Sequence, residues 1–180
     1  LFESHGDLPV ISIVSDETGL YGSADGLLVP GDFLLHAPLA LRESYARDPR
    51  WWKYPGNYHG RGREWERPAQ VQFIEPDGRE RFQVPAGLRI SGEMTRGFPQ
   101  HALRLEFDGP LSQPVFPSDA GGARSVVLRA AGNDQVKAML RDAYQHELCD
   151  GQGFLTSRSV PCVAYINGEY QGLRYIRQRM

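Results

Sequence analysis

Short alternating stretches of apolar and polar residues dominate the chain. Val10 to Val14, following Pro9, is an apolar run of strand composition. Gln70 to Glu75 alternates, with Val71 and Phe73 on one face. Pro76-Asp77-Gly78 supplies a turn, and Phe82 and Val84 alternate on the return, which predicts a hairpin. Gly87 to Ser91 and Ala102 to Phe107 read as two further half-buried strands, and Ser125 to Arg129 has the composition of a buried one. Val160 to Ile166 and Glu169 to Arg177 flank Asn167-Gly168, a strong signal for a tight hairpin.

The helical period is rarer. Asp134 is a good N-cap residue. After it Val136, Met139, Leu140, Ala143, Glu147 and Leu148 recur at i, i+3, i+4, i+7 spacing, all apolar but Glu147, with Lys137, Arg141 and Gln145 opposite. Gly151 and Gly153 close the segment. This pattern predicts one long helix from Asp134. A shorter helix is expected from Pro38 to Ala46, stopped by Pro49. Residues 48–68 and 108–124 read as long loops. The expected fold class is therefore α+β: a strand-rich domain with one long helix.

Composition narrows the function. With 180 residues, 41% hydrophobic, the chain can bury the core of one domain. No apolar run approaches the ~18 residues a membrane span requires. A net charge of −2 gives no global basic field, so neither nucleic acid nor an anionic membrane is expected as a partner. Of the 20 basic residues only Lys53 and Lys137 are lysine, which leaves any lysine-dependent chemistry two candidates. Cys149 and Cys162 fit no metal-binding spacing; they read as core or helix-end thiols, with a disulfide open in an exported protein. The sequence stops at Met180 inside the second strand of its last hairpin, so residues 1–180 read as a single N-terminal domain of a longer protein.

No nucleophile elbow, Walker loop or zinc signature is present. His146 and Cys149 stand three apart on the predicted helix, but without further ligands they imply no metal site. Arg61-Gly62-Arg63-Glu64-Trp65-Glu66-Arg67 is the densest charge cluster. It is either an anion clamp or a network of local ion pairs around Trp65, and its near-equal signs favour the network. Arg89, Arg104 and Arg129 sit mid-strand between apolar neighbours. They either converge on one phosphate-binding face or alternate to solvent as ordinary outward residues. Asp134 is either a cap alone or a cap that also orders a site. Trp51, Trp52, Tyr54, Tyr58 and Trp65 suit loop packing, or stacking on bases or sugars; Trp51, Trp52 and Trp65 leave open a carbohydrate-binding role.

Several segments together resemble the CotH family of spore-coat, kinase-like proteins. Leu8 to Val14 is similar to the family's opening strand, and Gly56 to Pro68, with its Arg-Gly-Arg-Glu-Trp-Glu-Arg-Pro run, to its most recognisable stretch. Gly87 to Gly92, Arg96 to Gln100 with Leu103-Arg104-Leu105, Leu128 to Asp134 with Arg141-Asp142, and Asn167 to Gly172 follow in the family's order. The resemblance implies the small lobe of a divergent protein-kinase-like fold, inactive alone, and a parent protein that either uses ATP and magnesium to phosphorylate Ser/Thr of coat proteins or is a degenerate kinase-like binding protein. Its alternative is a non-catalytic coat or surface adhesion module; the compartment stays open, with export, the cell surface and the spore coat as the options the resemblance offers. Three departures stand out. His101 falls where the family places a lysine, Gln178 replaces a glutamate, and the catalytic Asp motifs lie beyond the final hairpin, so the resemblance assigns this chain no catalytic residue. It assigns nucleotide phosphate binding to Arg89, Arg104 and Arg129, organised by Asp134 and Asp142.

Overall fold

The computed structural model describes residues 5–47, 55–117 and 121–179; Trp51, Trp52, Lys53 and Tyr54 lie outside the described residues. Seven strands form a closed barrel: β1 (Val10–Ser15), β2 (Arg67–Ile74), β3 (Glu80–Ser91), β4 (Ala102–Phe107), β5 (Ser125–Arg129), β6 (Ser159–Ile166) and β7 (Glu169–Gln178). The order around the barrel is β1-β2-β3-β4-β5-β7-β6. All neighbours are antiparallel except β6 and β1, whose parallel pairing, from Val10 opposite Val163 to Ile13 opposite Ile166, closes the ring.

Strict alternation makes the core. Ile11, Ile13, Val71, Phe73, Leu88, Ile90, Leu103, Leu105, Val126, Leu128 and Ile176 point inward and are buried together. Leu20, on the short helix α1 (Glu17–Tyr21), packs with Leu27 and Tyr58 at one end, and Leu111, Val115 and Phe116 fill the other. The hairpin return at Phe82 and Val84 and the predicted strand at Gly87 are one continuous strand, β3. Pro85 is tolerated inside it because β4 begins to pair only at Ala86, so the missing N–H costs no ladder bond on that side.

The expectation of an α+β, kinase-like small lobe with one long helix is overturned. The architecture is a closed barrel with short helices at its surface. Besides α1 these are α2 (Phe33–His36), α3 (Leu39–Arg47) and α4 (Arg141–Cys149). The helix expected from Asp134 starts only at Arg141. Gly132–Asp134 is a 3₁₀ turn, and Met139 takes a φ of 61°, a left-handed conformation that no helix interior accepts. Asp134 does cap, seven residues on: its Oδ2 accepts from Arg141 N at 3.2 Å. The periodic apolar positions have no core to cover; Val136 is 88% exposed, and none of α4 is buried.

Both cysteines are free thiols. Cys162 lies in the core, where burial pushes its thiol up to about 12 and keeps it protonated.

Candidate functional site

The outward positions of β3, β4, β5 and β7 form a row across the sheet. Arg89 lies directly opposite Arg104, Arg104 opposite Val127, and Val127 opposite Arg177. Like charges facing each other across a ladder repel, so this row needs compensation. Glu106, one position along on the same face of β4, supplies it. Its Oε1 takes Arg89 Nη2 at 3.1 Å, Arg104 Nη2 in a close contact, and Arg179 Nη1 at 3.5 Å. Glu66 adds a contact of 3.1 Å to Arg89 Nε, across Gly87, where a Cβ would sit only 2.5 Å from the Glu66 carboxyl group. Burial, reinforced by Arg179 and Arg89, lowers the proton affinity of the Arg104 guanidinium.

Beside this row is a hollow of about 300 Å³ lined by Arg61, Arg89, Arg96 and Arg104, with Ser91, Gly92 and a single carboxylate, Glu93. Its wall is the loop from Gly56 to Gly62, and Arg96 fixes it. Arg96 is buried and donates to three backbone carbonyls: Gly92 at 2.6 Å, Gly60 at 2.9 Å and Tyr58 at 3.2 Å. Gly92, at φ 104°, makes the turn that brings its carbonyl to Arg96, a conformation that suits glycine. Arg61 closes the rim through a two-pronged pair with Glu93 at 2.9 and 2.6 Å, which holds the Glu93 carboxyl below its ordinary range.

The charge cluster at 61–67 enters an ion-pair network, but not the local one expected: its partners are distant in sequence. Arg67 pairs with Asp25 at 3.2 Å and lies over the Trp65 ring, while Glu66 reaches Arg89.

Arg129 does not enter this hollow. It lines a second one with Asp142, His146, Ser157, Arg177 and Arg179, joined to the first through Ser91. Asp142 Oδ2 accepts from Arg129 Nε at 3.2 Å and makes a close contact with Arg177 Nη1, tying α4 to the barrel wall. Asp134 is elsewhere: its carboxyl is engaged with Arg141 at the start of α4. Of the five residues singled out in the sequence, Arg89 and Arg104 come together, Arg129 and Asp142 pair next door, and Asp134 stands apart.

His101 faces the other way. The parity of β4 places it on the inner side with Leu103. Its Nδ1 lies 2.7 Å from the Arg96 carbonyl, and its ring stacks on Tyr58 at 5.2 Å. Burial lowers its pKa, so it is a neutral packing group at the barrel's end. The lysine-to-histidine departure and the arginine row therefore lie on opposite faces of one strand. Gln178 borders the second hollow and accepts from Arg158 at 3.1 Å; a glutamate there would cancel part of the arginine surplus.

Sequence reasoning missed Arg96, Arg177 and Arg179; Arg61 it offered only within the 61–67 cluster. For Arg177 and Arg179 the signal was the outward parity of β7, readable only once its neighbour is known. Among the described residues no group of three or more His, Cys, Asp or Glu is placed to hold a metal ion, and no helix is long and apolar enough to cross a membrane.

No curated protein matches the chain. A family profile described as CotH kinase protein matches residues 88–180, just over half of the chain. The matched span runs from β3 to the end and contains Arg89, Arg104, Arg129, Asp134 and Asp142; the Gly56 to Pro68 stretch lies outside it. By this match, which covers the arginine row, the second hollow and the β3–β4 side of the first, the chain belongs to the CotH kinase protein family.

Proposed function

We propose that this barrel is the nucleotide-holding part of a CotH-type Ser/Thr protein kinase, and that the first hollow takes the phosphates of ATP. The observation that carries this reading is Arg89 directly opposite Arg104, two like charges brought together over one shared carboxylate, Glu106. Guanidinium forks match phosphate oxygens in shape and charge, and a bound phosphate would relieve the repulsion the row sustains. Arg96 and Gly92 position the wall, and Arg61 closes the rim. Magnesium, when bound with ATP, neutralises charge on the phosphates. The chain's own carboxylates near the row, Glu66, Glu93 and Glu106, are each engaged by arginine, so its contribution is to the phosphates rather than to the metal.

Isothermal titration of the chain with MgATP checks this. Saturable binding is expected, with Arg104→Ala weakening it roughly tenfold or more. Absent binding, or binding indifferent to Arg104→Ala, would overturn the reading.

A second reading, a non-catalytic coat or surface adhesion module, draws on the exposed Val136, Phe154 and Leu155 and on the histidine at position 101. Retention by immobilised coat or surface protein without any response to MgATP would favour it.

A further inference from the structure

The second hollow has no role in that reading. Arg129, Arg177 and Arg179 line it against one carboxylate, Asp142, in a space of about 300 Å³. Asp142 does not exhaust them. Arg129 uses only Nε on it, leaving both Nη groups of a 41%-exposed side chain without a partner among the described residues. Among the described residues Arg179 makes only its 3.5 Å contact with Glu106, and it is half exposed. Arg177, by contrast, is fixed. Its side chain is buried, held by Asp142 and by the Ser157 carbonyl, and forms the rigid floor. His146 adds a donor. Its Nδ1 accepts from Ser157 N at 3.0 Å, so the neutral ring carries its hydrogen on Nε2. The hollow is thus a convergent set of N–H donors with net positive charge, which matches a phosphate group.

The surroundings select what carries that phosphate. Phe154 and Leu155, 69% and 81% exposed, precede Ser157 in the chain by three and two residues. A polyphosphate has no apolar groups with which to cover them, whereas apolar side chains of a peptide do so by burying both surfaces. A closed barrel offers no free strand edge.

We infer that the second hollow binds the phosphate of a phosphoserine or phosphothreonine peptide, with apolar residues of that peptide resting on Phe154 and Leu155. Arg129, Arg179 and His146 hold the phosphate, and Arg177 with Asp142 positions them. This site is separate from the nucleotide reading of the first hollow and stands without it.

Fluorescence anisotropy of the 180-residue chain with a short labelled peptide, one phosphoserine flanked by leucines, tests the inference. The phosphopeptide is expected to bind roughly tenfold tighter than its unphosphorylated form. Arg129→Ala/Arg179→Ala should abolish that difference while the chain stays folded by circular dichroism, and saturating MgATP should not displace the peptide. Phe154→Ser/Leu155→Ser should weaken both peptides alike. The inference is overturned if phosphorylation makes no difference, if the difference survives the double arginine variant, if MgATP displaces the peptide, or if inorganic phosphate or a single-stranded oligonucleotide binds as tightly as the phosphopeptide. A chain that fails to bind MgATP but passes these measurements removes the nucleotide reading and keeps this one.

Discussion

Arginines occupy both faces of the same barrel, and the two sets behave differently. Outside, Arg89, Arg104, Arg129 and Arg177 each touch a carboxylate. Inside, Arg174 is 3% exposed, stands opposite Cys162, and has Nε and Nη1 without any hydrogen-bond partner; burial brings it down to about 10. Arg96 is intermediate, buried but satisfied by carbonyls alone. An outer guanidinium shares a carboxylate that an incoming anion can replace, so its charge is available. An inner one is part of the frame, and its charge is a cost the fold carries.

Four measurements sharpen or break that contrast. The largest effect is expected from Arg96→Ala, which leaves three backbone carbonyls without their donor: urea denaturation should show a loss of about 3 kcal/mol, accompanied by loss of MgATP binding as the wall of the first hollow relaxes. Arg174→Met should act in the opposite direction. Replacing a buried, uncompensated charge with an apolar side chain of similar length is expected to stabilise by ~2 kcal/mol, with anion binding unchanged. A loss of stability there would mean that the inner guanidinium is compensated after all. Glu106→Gln probes the outer set: with the shared carboxylate neutralised, affinity for inorganic phosphate should rise several-fold, about 1 kcal/mol, at a small cost in midpoint. A fall in affinity would mean that Glu106 orders the arginines rather than competes for them.

The smallest effect is in pH. Burial depresses the pKa of His101 below its ordinary 6.5. The unfolded chain therefore binds a proton before the folded one does. The associated stability is full above pH 6.5 and declines as pH falls below it, by at most about 1.4 kcal/mol per pH unit for one proton. His101→Gln should make that decline shallower in denaturation curves taken at successive pH values, and an unchanged slope would place the titration elsewhere, on His59 for instance, whose pKa burial also lowers.

Much of the strand content was legible because alternation is local. Val71 with Phe73, Leu103 with Leu105, and the Asn167-Gly168 turn each declare themselves within a few residues, and all lie where expected. Barrel closure was not legible, since it depends on β1 meeting β6 about 150 residues away, and two short apolar runs do not say which neighbour they take. The long helix failed for a related reason. Its spacing was real, but periodicity reports an amphipathic face, not whether a core exists to receive it, and the left-handed backbone at Met139 leaves no trace in the pattern. At the site, the outward parity of Arg89 and Arg104 could be read from their strands. Their register, and the presence of Arg177 in the same row, required the sheet.

The parallel seam between β1 and β6 also sets a timetable. During synthesis β1 emerges first, pairs with β2 through Ile13 and Val71, and then waits while β3, β4 and β5 assemble; its other edge is satisfied only when Val163 to Ile166 has been made. For that interval Val10 and Ile11 present an open, apolar strand edge of the kind that pairs with strangers. Of the pairings around the ring, this one has the longest loop to close. A nascent chain halted before residue 160 carries every arginine of the first hollow, yet it is a curled sheet with its first strand unguarded.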